Sequence, residues 1–438
     1  MSESQFSLLK TRRFLPFFLT QFLGAFNDNL FKSALVMLVT FSLARKMGIN
    51  GQVAVTVIAG LFILPFFLFS SVAGELADRY EKAFLIRRIK FIEIILMALT
   101  AAAFYFSNFW LLVALLFLMG AQSTFFGPLK YSIIPEHLEE GELIAGNALV
   151  SAGTYLAILI GTIVGGLLIL QPGGVEIISV LIVFFALLGW LASLKIPNAG
   201  SFNPKVSIDF NIIRSTHRII ASVIQEKDVF LSILGVSWFW FVGATFLSQF
   251  PSYTKDVLQA NEQVATLFLT VFSIGVGLGS LLCNTLLKGE IDGKYVPYGA
   301  ATLSVGSICL WLASRRLAPA GMDEELFGIL LFLQKPEGIF ILISLLAIAI
   351  GGGIYVVPLN AIMQTRCKAQ HRARVIACSN IMNSFMMVLS AVGISILLLM
   401  GFTIPHIFLV VAVLNCFSIW VVFRLVHKQR NIRMGRSA

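Results

Sequence analysis

Apolar residues dominate this chain so continuously that water cannot be its only solvent. The segment Leu111–Met119 contains no polar side chain, and comparable stretches recur along the whole length. A helix that crosses a bilayer needs about 20 mostly apolar residues. Of the 438 residues, 58% are hydrophobic and 12% charged, where an ordinary soluble domain carries about 25% charged residues. Mean hydropathy is +0.90. These values exclude a soluble enzyme, a disulfide scaffold and a disordered chain. A membrane β-barrel would show alternating segments of roughly ten residues, and continuous apolar runs do not alternate.

Twelve spans are expected, near 15–41, 53–73, 84–106, 109–133, 143–170, 177–195, 229–252, 263–287, 297–313, 338–363, 374–400 and 405–424. The fold class is thus all-α and integral to the membrane. Basic residues collect on the cytoplasmic side of such proteins. Of the 32 Lys and Arg residues, 25 fall on the side of the N-terminus and six on the other, with Lys32 inside the first span. Both termini are therefore expected in the cytoplasm. The net charge of +10 has this explanation and does not call for nucleic acid. The basic N-terminus leads into a long span with no small-residue cleavage site, so a retained first helix is expected and not a removed signal peptide. The five cysteines show no metal-type spacing and read as reduced residues with no disulfide framework.

The longest polar interval, 196–228, divides the chain into a first six-span bundle (1–195) and a second bundle with a basic tail (229–438). Within it, Ile212, Ile213, Ile219, Ile220, Val223 and Ile224 recur at helical spacing, with Arg214, His217 and Arg218 elsewhere on the wheel. A basic amphipathic helix at the cytoplasmic membrane surface is expected; a plain tether is compatible with it. The halves also repeat. Phe126-Gly-Pro-Leu-Lys130 at the end of span 4 has a counterpart in Tyr355-Val-Val-Pro-Leu-Asn360 at the end of span 10. Leu143-Ile-Ala-Gly-Asn147 has one in Val375-Ile-Ala-Cys-Ser-Asn380. Duplicated halves are a known transporter architecture.

An ionisable group inside a span is costly and marks a functional site by default. Asp28 stands ~14 residues into span 1, ~21 Å along it and so near the midplane. Asn27 and Asn29 flank it, and Gln21, Gly24, Asp28 and Lys32 share one helical face. That stripe needs a wet cavity or another helix. The structural alternative is an Asp28–Lys32 pair locking span 1 to a neighbour. Glu93 is expected to pair with Lys90 or to snorkel, and is not taken as a site. Asn147 and Asn380 occupy matching places in the two halves and favour a central path. Span 8 carries Thr266, Thr270, Ser273 and Gly277, which read as helix packing. Span 7 carries Trp238-Phe-Trp-Phe241, too deep for an interfacial belt; Trp238 and Trp240 could line an apolar wall suited to acyl chains or pack toward lipid. No P-loop, zinc spacing, acyltransferase box or G-x-S-x-G occurs, so no enzyme, cofactor or ATP-driven step is expected.

Gly74-Glu-Leu-Ala-Asp-Arg79 followed by Lys82, with a degenerate copy at Gly289-Glu-Ile-Asp-Gly-Lys294, resembles the cytoplasmic signature of the major facilitator superfamily. By that resemblance Gly74, Asp78 and Arg79 form a conformational latch, with Asp78 facing the positive N-terminal end of helix 11. More narrowly, Ala25-Phe-Asn-Asp-Asn29, Pro128-Leu-Lys-Tyr131 and Val356-Val-Pro-Leu-Asn-Ala361 with Gln364 resemble the bacterial lysophospholipid transporter family. The chain is more similar still to the transporter module fused to acyltransferase and acyl-carrier-protein synthetase domains. Single-domain members carry an arginine in helix 7 and a carboxylate in helix 5, where this chain has Thr245–Gln249 and Ser151.

The resemblance implies an inner-membrane transporter that moves lysophospholipids inward for reacylation by a separate acyltransferase/acyl-carrier-protein synthetase. It adds Asn360 and Gln364 to the candidate substrate contacts. Asp28 with Asn27 and Asn29 would meet an ethanolamine ammonium, and Lys130 a phosphate; a snorkelling lysine is the alternative for Lys130. The rival reading is a proton-coupled exporter of small amphiphilic compounds with Asp28 as proton carrier. The segment 314–338, with Asp323, Glu324 and Glu325 before an apolar run, is expected to form a short helix. That helix would lie in the outer interface or cap helices 9 and 10.

Overall fold

The computed structural model describes residues 5–39, 51–200, 204–316, 328–416 and 418. Among them, eleven long helices and one shorter one correspond to the expected spans. In the first half these are α1 (Leu15–Leu38), α2 (Gly51–Arg79), α3 (Lys82–Tyr105), α4 (Phe109–Ser132), α5 (Leu143–Leu168) and α6 (Gly174–Ser193). The second half holds α7 (Lys227–Ser252), α8 (Glu262–Leu287), α9 (Val296–Arg316), α10 (Pro336–Arg366), α11 (Arg372–Leu399) and α12 (Ile404–Cys416). Nine helices among the described residues are apolar and long enough to cross a membrane. Of the others, α1 carries Asn27–Asn29 and Lys32, α3 carries Lys90 and Glu93, and α12 is described over a short length.

Local chemistry sets the helix starts. Glu81 precedes α3 and accepts from the amides of Ala83 (2.8 Å) and Phe84 (2.5 Å), which satisfies donors that the helix cannot. Asn108 does the same for α4 through the Leu111 amide, 3.1 Å away. Pro128 and Pro358, expected near span ends, lie inside their helices, which continue to Ser132 and Arg366.

Packing divides the chain into two compact units, Met1–Glu226 with Gln364–Ser384, and Lys227–Met363 with Phe385–Ala438. In the first, α5 lies against α1 because glycines remove the intervening side chains. A methyl group built on Gly161 would sit 2.4 Å from the Phe26 carbonyl oxygen, and one on Gly165 2.4 Å from that of Leu30. Small residues permit such close approach between membrane helices. In the second unit the close-packed face of α8 is Gly275 and Gly279. Thr266 and Thr270, expected to pack, are exposed and half-buried respectively.

The linker helix covers Ile212–Ile224 and is capped by Asn211 on the Arg214 amide, 3.1 Å away. Its apolar residues do not form one lipid-facing stripe. Ile219 and Val223 are buried, while Ile213 is 83% exposed. Glu75 of α2 fixes this placement by accepting from the Asp209 amide (2.8 Å) and the Ser215 hydroxyl (3.0 Å). The helix therefore belongs to the first unit. Hydrogen bonding from Arg214, with Arg218 beside it, holds the Asp209 carboxyl below the usual range.

Of the 314–338 segment, residues 317–327, with the acidic triplet and Phe327, lie outside the described residues. The remainder includes a short helix, Ile329–Gln334. Phe332 is fully buried with its ring 5.6 Å from that of Phe268 on α8, and Leu330 and Leu331 are exposed. The element packs through one aromatic on α8, a contact that neither expected placement, the outer interface or a cap on helices 9 and 10, included.

Candidate functional site

The polar residues of α1 do not all face the same way. Asn29 is buried and donates to the Ala25 carbonyl one turn back, 2.8 Å away. Asn27 is fully buried and donates to the Ile182 carbonyl of α6 (3.1 Å) and to Glu93 of α3 (3.4 Å). Asn27 thus ties α1 to α3 and α6, whereas the Asn29 amide is satisfied within α1. Asp28 is half-buried between them and accepts from the Ser123 hydroxyl of α4, 2.6 Å away. Ser123 also lies 3.3 Å from Gln122 Oε1. A hydroxyl has one proton, and the shorter contact to the carboxylate takes it.

Behind Asp28 lies a buried ion pair that was not taken as part of the site. Lys90 and Glu93 are each 1% exposed and bonded to one another. Lys90 had been counted among the cytoplasmic cations. Its ammonium instead lies inside the bundle, where glycines make the room. A methyl group on Gly24 would come within 2.8 Å of Lys90 Nζ, and one on Gly189 within 3.1 Å of its Cε. Gln122 donates to Glu93, 3.1 Å away. Glu93 thus joins α1, α3 and α4. The i,i+3 spacing of Lys90 and Glu93 signalled the pair; the adjacent polar residues Gln122 and Ser123 in span 4 were the clue to its extent.

Two further cations sit near Asp28. The Lys32 ammonium lies 5.2 Å from the centre of the Phe62 ring, a cation–π arrangement. Lys130 donates to Thr154 Oγ1 of α5 (2.6 Å), which lies 3.0 Å from Gln21 Oε1. Neither lysine has a carboxylate within 4.0 Å among the described residues, so the Asp28–Lys32 lock, the structural alternative for this stripe, is not formed. Gln21 Nε2 is buried with no protein partner among the described residues. Buried polar groups are almost always paired, so this amide is available to a ligand or water.

Asn147 and Gln364 are both fully buried and bonded to each other, Asn147 Nδ2 to Gln364 Oε1 at 2.9 Å and Gln364 Nε2 to Asn147 Oδ1 at 2.8 Å. Asn380 faces Gly127 of α4, and its Nδ2 has no protein partner among the described residues.

Asp78 is 2% exposed and accepts from the amides of Ala373 (3.0 Å) and Arg374 (3.3 Å) and from the Arg374 guanidinium (2.7 Å). These groups open α11, where the helix dipole favours negative charge. Gly74 permits the crossing, since a methyl group there would lie 2.5 Å from Ala377 Cβ. Arg79 turns away and lies over the Tyr80 ring at 5.5 Å. Nearby, Glu136 pairs with Lys82 (3.5 Å) and Arg372 (3.3 Å).

Trp238, Trp240 and Asn360 belong to the second unit. Trp238 donates its indole N–H to Asn415 of α12, 2.7 Å away, and stacks on Phe241 at 4.9 Å. Phe239 is buried against Gly352 of α10. Trp240 is half-buried, and Asn360 is 6% exposed. The aromatic run is thus divided between neighbouring helices.

Residues 17–330 match the sequence profile of the Major Facilitator Superfamily. The chain belongs to that superfamily. It is 26% identical over 375 residues to the lysophospholipid transporter LplT of Klebsiella pneumoniae subsp. pneumoniae, covering 84% of each chain. To LplT of Escherichia fergusonii it is 26% identical over 353 residues, covering 80% of this chain and 79% of that one. Among solved structures, the human organic anion transporter MFSD10 superposes with a TM-score of 0.73 at 12% identity, over 94% of this chain and 99% of that one. The E. coli fucose:proton symporter FucP gives 0.66 at 16% identity, over 95% and 99%. These likenesses concern the fold, and imply the superfamily's twelve helices in two repeats. Family and relatives together point to a transporter and not an enzyme.

Proposed function

We propose that this superfamily member moves lysophospholipids from the outer to the inner leaflet of the bacterial inner membrane by alternating access. Both termini would be cytoplasmic, and a separate acyltransferase would complete the lipid. The observation that carries this reading is the charge pattern around α1. One half-buried carboxylate, Asp28, stands near two half-buried ammonium groups, Lys32 and Lys130, and among the described residues neither lysine is neutralised by a carboxylate within 4.0 Å. A zwitterionic headgroup supplies the complement: its ammonium meets Asp28, and its phosphate meets Lys130 or Lys32. The single acyl chain needs no polar route. The LplT relatives support the substrate class.

A second reading, a proton-coupled exporter of amphiphilic compounds, is favoured by one detail. Among the described residues Asp28 has a single hydrogen-bond donor, Ser123, and no ion pair, so it could carry a proton. Uptake of labelled lysophosphatidylethanolamine into proteoliposomes, with and without a proton gradient, separates the two. Transport in both conditions, abolished by Asp28→Asn in a protein with unchanged thermal stability, is the expected result. Wild-type uptake by Asp28→Asn would remove the site assignment, and strict dependence on the gradient would favour the exporter.

A further inference from the structure

An apolar groove of about 410 Å³ opens on the first unit, outside the Asp28 site, between the ends of α2 and α4 and the start of α3. Ala73, Leu85, Ile92 and Ala121 are among the residues that line it, and Arg88 and Gln122 are its polar members. Ile92 is 48% exposed, so the groove is open along its side. Arg88 to Leu96 is eight residues of α3, about 12 Å along the helix, a length suited to part of one acyl chain.

The two neighbouring arginines are used differently. Arg87 is tied to the linker through the Ile196 carbonyl, 2.7 Å away. Arg88 is exposed, lies over the Phe84 ring at 5.2 Å and has no carboxylate partner among the described residues. A cation at one end of an apolar groove has the outline of an anionic amphiphile. No acidic residue lines the groove, so an ethanolamine ammonium would find nothing to meet there. A headgroup of net negative charge fits instead. The open side lets a second chain remain in the bilayer.

We infer that this groove binds an anionic diacyl phospholipid, one acyl chain between α2, α3 and α4 and the phosphate on Arg88. The leaflet is the one beside the α2–α3 turn, cytoplasmic under the orientation proposed above. Gln122 gives the groove a connection to the transport site, because its side chain forms part of the wall while its Nε2 donates to Glu93. An occupied groove presses on the same amide that holds the buried pair beside Asp28.

The test is native mass spectrometry of the purified protein titrated with phosphatidylglycerol, phosphatidylcholine or lysophosphatidylethanolamine. Wild type should retain one phosphatidylglycerol in preference to phosphatidylcholine. Arg88→Gln, at an exposed position, should lose that preference by about tenfold, the scale of one charge-assisted hydrogen bond. Ala121→Phe should fill the groove and abolish retention. Equal retention by all three proteins would overturn the proposal. So would displacement of phosphatidylglycerol by equimolar lysophosphatidylethanolamine, which would make the groove part of the substrate route. None of these readouts requires transport, so the proposal can fail independently of the transport reading.

Discussion

Asn147 of α5 and Gln364 of α10 exchange two amide hydrogen bonds, of 2.9 and 2.8 Å, with neither side chain exposed. The pairing is reciprocal, so each residue alone is a liability. Removing one partner strands the other in an apolar surrounding, at a cost of ~1–3 kcal/mol. Asn147→Leu and Gln364→Leu should each lower the thermal midpoint of the detergent-purified protein. The double replacement should lose less than the sum of the two, by ~0.5–3 kcal/mol of coupling. Strict additivity in the double-mutant cycle would show that the bonds contribute nothing to stability.

The residues of that pair were legible in the sequence, but their relationship was not. Asn147 was noticed through its repeat counterpart and Gln364 through a family motif. Nothing in either segment says that the two amides meet, because their contact depends on helix rotation. The helices themselves were easy to read, since apolar length decides them. Orientation within a helix was harder. Asn27, Asp28 and Asn29 are adjacent, and only the packing of α6 and α3 shows that Asn27 turns inward, leaving Asp28 half-buried. Lys90 was misread for a related reason: a cation near a helix start looks like a loop residue until Gly24 and Gly189 are seen to make room for it.

The Lys90–Glu93 pair makes a stability prediction that its position in α3 alone would not. A buried pair is a poor source of net stability, but breaking it leaves an uncompensated charge, typically at a cost of ~3–5 kcal/mol. Glu93→Gln should therefore be strongly destabilising. Replacing both partners, Lys90→Met with Glu93→Gln, should recover much of the loss, because the orphaned ammonium is gone. Chemical denaturation of the three proteins checks this. A double variant no more stable than Glu93→Gln would assign the cost to the bonds with Asn27 and Gln122.

At Asp78, one carboxylate holds two backbone amides and a guanidinium at the start of α11. Asp78→Ala should release that end. Charge-assisted hydrogen bonds contribute ~1.5–3 kcal/mol, which corresponds to a shift of roughly tenfold to a hundredfold in a two-state equilibrium. Cysteines placed on the two sides of the membrane should change their labelling ratio, with more reaction on the Asp78 side. Lysophospholipid affinity should move little. Lost binding with an unchanged ratio would make Asp78 a substrate contact.

His371 gives the same region a dependence on pH. It lies in the turn between α10 and α11, where burial, then the Arg374 and Lys368 charges, hold its pKa below the usual 6.5. The folded turn therefore favours the neutral ring. At and above pH ~7 a histidine with an ordinary unfolded pKa is mostly neutral in both states, so the turn bears little cost. As pH falls below 6.5 the unfolded segment takes up a proton more readily than the folded one, so stability declines. The decline ends once the lower, folded pKa has been passed. Hydrogen exchange at the Ala373 and Arg374 amides, which Asp78 accepts, reads this directly. Exchange, corrected for its intrinsic pH dependence, should rise between pH 7 and 5 in the wild type. His371→Gln, which does not titrate, should reduce the rise and leave the part that belongs to Asp78, whose carboxyl burial pushes up to about 6. An identical rise in the variant would move the titration to another group and leave His371 a bystander in the turn.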